Sequence, residues 1–190
     1  DELAYQGAAI KVYKDYIKLP NGKQVTWDLI KHPGGAAVVP IDDDGNILMV
    51  RQYRNAVGRL TLEIPAGKLE NQEERIVCAT RELEEETGYT CDSLVMIGRF
   101  ATTPGFCNEY IENFLALNLK PLDYEVKGDE DEFINLYHVT KEEALQLIEE
   151  GRNEEAELIL SLIEPYKIKG PVVIDIEDIQ NDTPLTVCTA

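Results

Sequence analysis

The stretch of sequence that decides the fold runs from Gly67 to Tyr89 and reads GKLENQEERIVCATRELEEETGY. Asn71 followed by Glu74 is typical of a helix start, and Gly88 supplies the left-handed residue that often follows a helix end. The spacing therefore predicts a helix over residues 72–87. Its core-facing stripe is expected to contain residues spaced three and four apart, namely Ile76, Ala79, Thr80, Leu83 and Thr87.

Three carboxylates of this helix lie on one face, because Glu82, Glu85 and Glu86 occupy positions i, i+3 and i+4. Like charges at these spacings repel, and a bound cation would relieve the repulsion. Hard oxygen ligands favour Mg²⁺ or Mn²⁺ over zinc. Arg81 is within reach of Glu85 or Glu73 and could orient a carboxylate. The alternative is a solvated acidic face on a very acidic protein.

The charge balance limits the classes of partner. The chain of 190 residues has a formal net charge of −18, with 44% hydrophobic and 28% charged residues. This length fits one domain with appendages or with a small subdomain. So negative a surface repels DNA and RNA backbones, which argues against a nucleic-acid partner. An anionic substrate would need divalent cations or local arginines to bind.

The four cysteines have no CxxC spacing, which is typical of free thiols in a reducing compartment. No apolar stretch is long enough to span a bilayer, and no signal-peptide pattern is visible. We therefore expect a cytoplasmic protein without a membrane partner.

The rest of the chain predicts strands first and helices last. Residues 8–17 and 25–30 form one expected hairpin, and residues 36–41 and 46–53 a second one around the turn 42–45. Further strands are expected at 93–100, 109–119 and 133–139, with helices at 140–150 and 154–163. This order indicates an α+β fold, with helices packed on a mostly antiparallel or mixed sheet. The expected organisation is a β subdomain over 1–33, a main domain over 34–170 and a tail of unassigned role over 171–190.

The segment from Gly67 to Tyr89 resembles the Nudix box, Gly-x5-Glu-x7-Arg-Glu-(apolar)-x-Glu-Glu-x-Gly-(apolar). The matching residues are Gly67, Glu73, Arg81, Glu82, Leu83, Glu85, Glu86, Gly88 and Tyr89. A random match to the fixed positions is on the order of one in ten million per register. The resemblance covers about residues 34–165. It implies an α/β/α sandwich around a mixed sheet, and a reaction in which water attacks a phosphorus of a nucleoside diphosphate linked to another group.

The resemblance also implies roles within the box. It gives the metal ligands as Glu82, Glu86, a supporting Glu85 and the backbone carbonyl of Ala66. Glu73 and Arg81 would orient these ligands. The bound metal would be Mg²⁺ or Mn²⁺, which neutralises the diphosphate and lowers the pKa of a bound water.

Residues outside the box resemble the ADP-ribose pyrophosphatase branch of the family. The run from Leu62 to Gly67, with Glu63 inside it, resembles the approach to the box in that branch. Pro104 stands where the branch carries a proline, although turn formation would also explain it. Arg51 and Arg54 resemble the phosphate-binding arginine region, with an ion-paired role as the alternative.

Three further roles are implied by the same branch. Trp27 would stack on adenine, with simple packing as the alternative. Residues 1–33 would form the unit through which two copies make a homodimer with shared sites. The water-activating base would be Glu132, with Glu130 second, unless this acidic loop is merely solvated.

The implied function is Mg²⁺-dependent hydrolysis of ADP-ribose or a related nucleoside diphosphate sugar to a nucleoside monophosphate and a sugar phosphate. Other substrates for the same box remain open: GDP-mannose, a dinucleotide coenzyme or a nucleoside triphosphate. A sensor that binds nucleotide sugars without turnover is the third reading. Such a sensor would be expected to have lost metal ligands, and here every glutamate of the box is present.

Overall fold

The computed structural model describes residues 1–8, 10–124, 126 and 133–150. The expected helix 154–163, the tail 171–190 and the acidic loop with Glu130 and Glu132 lie outside these residues. Among these residues, neither helix has the length and apolar character that a bilayer span requires.

Ten strands and two helices make up the described chain. In order they are β1 (Glu2–Gln6), β2 (Lys11–Lys18), β3 (Gln24–Ile30), β4 (Gly35–Pro40), β5 (Ile47–Arg54), β6 (Arg59–Glu63), β7 (Ala66–Lys68), α1 (Arg75–Thr87), β8 (Tyr89–Ala101), β9 (Tyr110–Pro121), β10 (Asn135–Val139) and α2 (Lys141–Glu149). The first predicted hairpin is confirmed as β2 and β3, which pair antiparallel. Strand β1, which was not predicted, pairs with β2.

The strands form three sheets, in the orders β1-β2-β3, β10-β5-β6 and β7-β4-β9-β8. The last is mixed, because β4 runs parallel to β9 and antiparallel to β7. The second predicted hairpin is wrong: β4 and β5 belong to different sheets, and their connection is paired through a single bridge between Ile41 and Ile47. Strand β4 is buried along its whole length and is flanked by β7 and β9. Strand β5 pairs instead with β6 and β10.

Two layers of apolar side chains hold the main domain together. One lies between the β10-β5-β6 sheet and the mixed sheet and includes Val39, Met49 and Leu115. The other lies between the mixed sheet and α1 and includes Val38 and Leu83. Burying one such side chain fully is worth about 1.5–3 kcal/mol. The predicted α+β class is confirmed, and α1 is fixed to the outer face of the mixed sheet.

The ends of α1 were predicted with mixed success. Gly88 has φ 73° and ends the helix in the left-handed conformation, as expected. The start was wrong: the cap is Glu74, not Asn71, and it makes no side-chain capping bond. Gln72 adopts φ 62°, so the chain turns sharply between Asn71 and the first helical residue. This turn separates Asn71 from the helix amides that it would have capped.

The buried face of α1 also differs from the prediction. Ala79, Leu83 and Thr87 are buried as expected, but Ile76 is 46% exposed. The buried face is completed by Glu82 and Glu86, along with Cys78. The helix is therefore rotated so that two carboxylates, rather than Ile76, face the rest of the protein.

Helix α2 begins as its sequence predicts. The Thr140 hydroxyl accepts from the Glu143 amide at 3.1 Å, and Glu143 Oε2 accepts from the Thr140 amide at 2.9 Å. These reciprocal bonds form a capping box.

The N-terminal sheet joins the main domain through the end of β3. The Ile30 amide donates to the Phe106 carbonyl at 2.7 Å, and the Asn108 amide donates to the Ile30 carbonyl at 3.2 Å. The Asn108 side chain then accepts from the His32 amide at 2.8 Å. The loop before β9 thus anchors residues 1–33 to the body that carries the box.

Candidate active site

The glycine of the box lets a carboxylate approach the backbone of β7. A Cβ placed on Gly67 would lie 1.7 Å from Glu82 Oε1 and 2.2 Å from Glu82 Cδ. Atoms do not tolerate such distances, so only glycine fits while Glu82 keeps this position. Glu82 is only 8% exposed. The sequence Ala66-Gly67 and the buried face of α1 therefore create a pocket for one carboxylate.

The second buried carboxylate binds the residue before that glycine. Ala66 pairs with Ala37, and the neighbouring Val38 amide donates to the Pro65 carbonyl, so the Ala66 N–H and C=O both point away from β4. The N–H donates to Glu86 Oε2 at 3.1 Å. The carbonyl oxygen of Ala66 faces the same side. Glu86, a backbone oxygen and Glu82 thus stand at one edge of the sheet.

Arg81 forms ion pairs with three carboxylates of the box. Its Nε lies 3.0 Å from Glu73 Oε1, and its Nη1 lies 2.7 Å from Glu82 Oε1 and 3.0 Å from Glu85 Oε2. The hydrogen bond from Arg81 lowers the pKa of the Glu73 carboxyl below its usual value. Hydrogen bonding to Glu73 in turn raises the pKa of the Arg81 guanidinium. The predicted reach of Arg81 to Glu73 and Glu85 is confirmed.

The donor chemistry of this edge fits a hard divalent cation. Glu82 and Glu86 are each 8% exposed, and buried carboxylates need compensating positive charge. Their oxygens and the Ala66 carbonyl are the ligand type that Mg²⁺ and Mn²⁺ prefer. Within the described residues, no three His, Cys, Asp or Glu side chains gather as a metal cage. Glu85 is less buried than the other two and is bound by Arg81.

An open cleft of about 340 Å³ runs along the solvent side of α1 beside these residues. Its lining includes Arg81, Glu85, Thr80 and Val126. Two members of the box, Arg81 and Glu85, are therefore reachable from solvent.

The guanidinium of Arg54 is paired with Glu63, which lies in the segment that leads into the box. Arg54 Nε lies 3.0 Å from Glu63 Oε1, and Arg54 Nη2 lies 2.5 Å from Glu63 Oε2. The Thr61 hydroxyl donates to Glu63 Oε1 at 2.5 Å. Burial raises the pKa of the Glu63 carboxyl, but the hydrogen bonds from Arg54 and Thr61 outweigh burial, so the net pKa is lowered. Glu63 is therefore an ionised partner of Arg54 at neutral pH.

Residues 31–162 match the NUDIX domain family model. This chain belongs to the Nudix family of hydrolases. It is 47% identical over 148 residues to the ADP-ribose pyrophosphatase of Bacillus subtilis (strain 168), a match that covers 78% of this chain and 80% of that protein. It is 40% identical over 161 residues to the methanol dehydrogenase activator of Bacillus methanolicus, covering 85% and 87% of the two chains.

The fold comparison agrees with the family. A crystal structure of an ADP compounds hydrolase superposes with a TM-score of 0.72, covering 86% of this chain and 91% of the other, at 20% identity. The Nudix fold expected from the box is confirmed.

The other expected substrate residues of this Nudix hydrolase lie outside the box cluster. Arg51 points to the opposite face of β5 from Arg54, because side chains alternate along a strand. Its guanidinium lies 5.0 Å from the centre of the Tyr137 ring. Trp27 is 55% exposed on β3, and Pro104 lies in the exposed turn before β9.

Two residues of the site were missed by sequence reasoning. Thr61 precedes Glu63 by two positions, and that spacing on one strand could have placed both on the same face. Cys78 lies with its Sγ 3.6 Å from the Gly67 carbonyl. Burial raises the pKa of the Cys78 thiol to about 12, so this cysteine packs beside the box as a protonated thiol. Cys78, Cys91 and Cys107 are all free, as expected.

We expect Arg81→Lys to lower kcat about ten- to a hundredfold, because residues that orient metal ligands contribute on this scale. A lysine ammonium cannot bridge Glu73, Glu82 and Glu85 in the planar geometry of a guanidinium. Initial rates with a nucleotide sugar and Mg²⁺ would measure the effect, with Arg99→Lys on strand β8 as the control. Equal rates for both variants would contradict an orienting role.

Proposed function

We propose that this Nudix hydrolase cleaves the diphosphate of ADP-ribose or a related nucleoside diphosphate sugar. The products are a nucleoside monophosphate and a sugar phosphate. The observation that carries the proposal is the pair of buried carboxylates, Glu82 and Glu86, packed against the Ala66-Gly67 backbone. The likeness of this chain to the Bacillus subtilis ADP-ribose pyrophosphatase supports the substrate class.

The metal proposed for this site is Mg²⁺, with Mn²⁺ as the second choice. Glu82, Glu86 and the Ala66 carbonyl would hold it, with Glu85 in support. Bound there, the ion neutralises the diphosphate and lowers the pKa of a bound water. Arg81 and Glu73 keep the carboxylates oriented. A divalent cation would also explain how a chain of net charge −18 accepts an anionic substrate.

On the substrate side we assign Arg54 and Glu63 to the approach of the diphosphate. Arg54 fits this task better than Arg51, because Arg51 is stacked on Tyr137 on the other face of β5. Trp27 offers an exposed aromatic surface for the base, and Pro104 shapes the turn before β9. These assignments rest on the resemblance to the ADP-ribose pyrophosphatase branch and on the exposure of each side chain.

One assay tests the proposed function. Purified protein is incubated with ADP-ribose, GDP-mannose, NADH and ATP, each with Mg²⁺ and each with excess EDTA, and the products are resolved by chromatography. We expect AMP and ribose 5-phosphate from ADP-ribose, and no products in EDTA. Preferred turnover of another compound would mean that this Nudix hydrolase has a different substrate from the one proposed. Binding of ADP-ribose without turnover of any compound would favour a sensor and overturn the proposal.

The proposed base that activates water is Glu132, with Glu130 second. The carboxylates of the box would be committed as ligands and poorly able to accept a proton. We expect Glu132→Gln to lower kcat about a hundredfold at nearly unchanged KM, the signature of an interaction made mainly in the transition state. Glu130→Gln should do less. Near wild-type rates for both variants would return the role to the box, with Glu85 next to test.

We further propose a homodimer built through residues 1–33. One face of the N-terminal sheet is mostly apolar, because the register places Leu3, Tyr13, Leu29 and Trp27 on the same side, with Asp15 as a charged neighbour of Trp27. Trp27 and Leu3 are about half exposed. Residues 1–33 also carry five lysines and four acidic residues, so this segment lacks the acidic excess of the whole chain. An exposed apolar face of this kind favours association with a second copy.

Light scattering at micromolar concentration should therefore give twice the chain mass. Trp27→Ala and Leu3→Ser together should shift the protein towards monomer and lower its activity, if the partner helps to build the site. A monomer with full activity in the unmodified protein would contradict the dimer.

The domain boundaries 1–33 and 34–170 follow from the same proposal. The free thiols fit a cytoplasmic location, which we propose as well.

A further inference from the structure

The guanidinium of Arg54 lies away from the residue that faces Arg54 across the strand pair. Arg54 stands directly opposite Arg59 in the β5–β6 pair, and like charges at such positions repel. Its side chain runs back over the pair formed by Gln52 and Thr61 and reaches Glu63. The guanidinium therefore lies beside the residue that leads into Ile64, Pro65 and the box.

Both oxygens of Glu63 are engaged by the protein itself. Oε1 accepts from Arg54 Nε and from the Thr61 hydroxyl, and Oε2 accepts from Arg54 Nη2. The Glu63 side chain is 18% exposed, whereas that of Arg54 is 44% exposed. The carboxylate is thus the buried half of the pair and the guanidinium is the half that faces solvent.

Charge decides which member of the pair meets a diphosphate. An ionised carboxylate repels the phosphate oxygens, while a guanidinium binds them through paired N–H donors. A guanidinium already fixed by a carboxylate also loses less conformational freedom when a ligand arrives. Glu63 is therefore suited to act through Arg54.

We propose that Glu63, fixed by Thr61, is a positioning residue that holds the Arg54 guanidinium where it binds the substrate diphosphate. This inference rests on the proposed function and deepens it: the hairpin β5–β6 contributes one anion-binding cation, and Glu63 does not touch the substrate. Arg51 takes no part, since it lies on the opposite face of β5 over Tyr137.

A double-mutant cycle tests the inference. kcat and KM for ADP-ribose with Mg²⁺ are measured for Arg54→Ala, Glu63→Gln and the double variant. We expect Glu63→Gln to raise KM about tenfold with kcat nearly unchanged, the scale on which a supporting partner acts. Arg54→Ala should raise KM at least as much. The double variant should match Arg54→Ala alone, because Glu63 has no effect once its partner is gone. If the two increases multiply instead, Glu63 contacts the substrate itself and the inference is wrong.

Two further variants separate positioning from general damage. Thr61→Val removes only the hydroxyl that fixes Glu63, so KM should rise less than in Glu63→Gln while the melting temperature stays close to that of the unmodified protein. Arg59→Ala removes the other arginine of the same hairpin and should leave KM unchanged. A KM increase in Arg59→Ala equal to that in Arg54→Ala would mean that net charge, not the held guanidinium, matters.

Calorimetric titration with pyrophosphate and Mg²⁺ keeps this inference distinct from the proposed function. Pyrophosphate carries the anion but no base or sugar, so its binding does not depend on the substrate assignment. We expect Arg54→Ala and Glu63→Gln to weaken binding, again without additivity in the double variant. Coupled losses without turnover of any nucleotide sugar would uphold the positioning role and reject the proposed function. Turnover of a nucleotide sugar with unchanged pyrophosphate affinity in both variants would uphold the proposed function and reject the positioning role.

Discussion

Glu86→Gln is expected to lower kcat for ADP-ribose by about a thousandfold or more. A bound cation stabilises the charge that develops in the transition state by several kcal/mol, and each 1.4 kcal/mol is a factor of ten in rate. The substitution removes one ligand charge without removing volume. In the unmodified protein Glu86 accepts a hydrogen bond from the Ala66 N–H at 3.1 Å. The amide oxygen of the glutamine can accept the same bond, so the fold is expected to persist.

The measurement is a rate assay with Mg²⁺, together with a melting curve and a Mg²⁺ titration. Glu84→Gln is the matched control, since Glu84 lies on the same helix but outside the pattern of the box. Glu84→Gln should stay within about twofold of the unmodified rate, because surface changes away from such features alter stability by no more than about 0.5 kcal/mol and Glu84 is given no role at the metal site. If Glu86→Gln keeps more than a tenth of the activity, Glu86 is not a principal ligand and the proposed metal site is misplaced.

Gly67→Ala is expected to reduce activity at least a hundredfold, although it adds a single methyl group. That methyl would lie 1.7 Å from Glu82 Oε1, so either the carboxylate or the β7 backbone must move. Glu82 is also held by Arg81 at 2.7 Å, so moving it disturbs the second charged group of the box. Overpacking of this kind also costs about 1–3 kcal/mol of stability.

Gly22→Ala separates the loss of activity from the loss of stability. Gly22 lies in the β2–β3 turn with φ +85°, and no atom of the described residues comes within 4 Å of an added Cβ. Alanine there strains the backbone and should lower the melting temperature without changing kcat. Gly67→Ala should lose kcat out of proportion to its change in melting temperature. Parallel losses in the two variants would show that Gly67 matters for folding alone.

The family and the chemistry of this protein could be predicted from local sequence. The spacing of Gly67, Glu73, Arg81, Glu82 and Glu86 is a property of one loop and one helix, so it needs no tertiary information. The Arg81 contact to Glu85 followed from the same spacing, because residues four apart on a helix are neighbours. Gly88 ended the helix as predicted because only its own backbone angle was involved.

Other features required the tertiary structure. The pattern alone placed Ile76 in the core, but the mixed sheet receives Cys78, Glu82 and Glu86 instead, since the face that a helix buries depends on what packs against it. Strands β4 and β5 separated into two sheets for a related reason: β4 pairs with β7 and β9 at its edges, which leaves one of its faces to pack on α1 and the other on the sheet that contains β5.

The two arginines of β5 show most clearly which features local sequence predicts and which depend on the tertiary structure. The resemblance to the ADP-ribose pyrophosphatase branch predicts a phosphate site near Arg51 and Arg54, and strand alternation alone puts the two arginines on opposite faces. Only the register of β5 against β6 sets Arg54 opposite Arg59 and within reach of Glu63. Sequence determined which charged groups the protein carries, while strand pairing decided which of them meet, because contacts between residues of different strands depend on register.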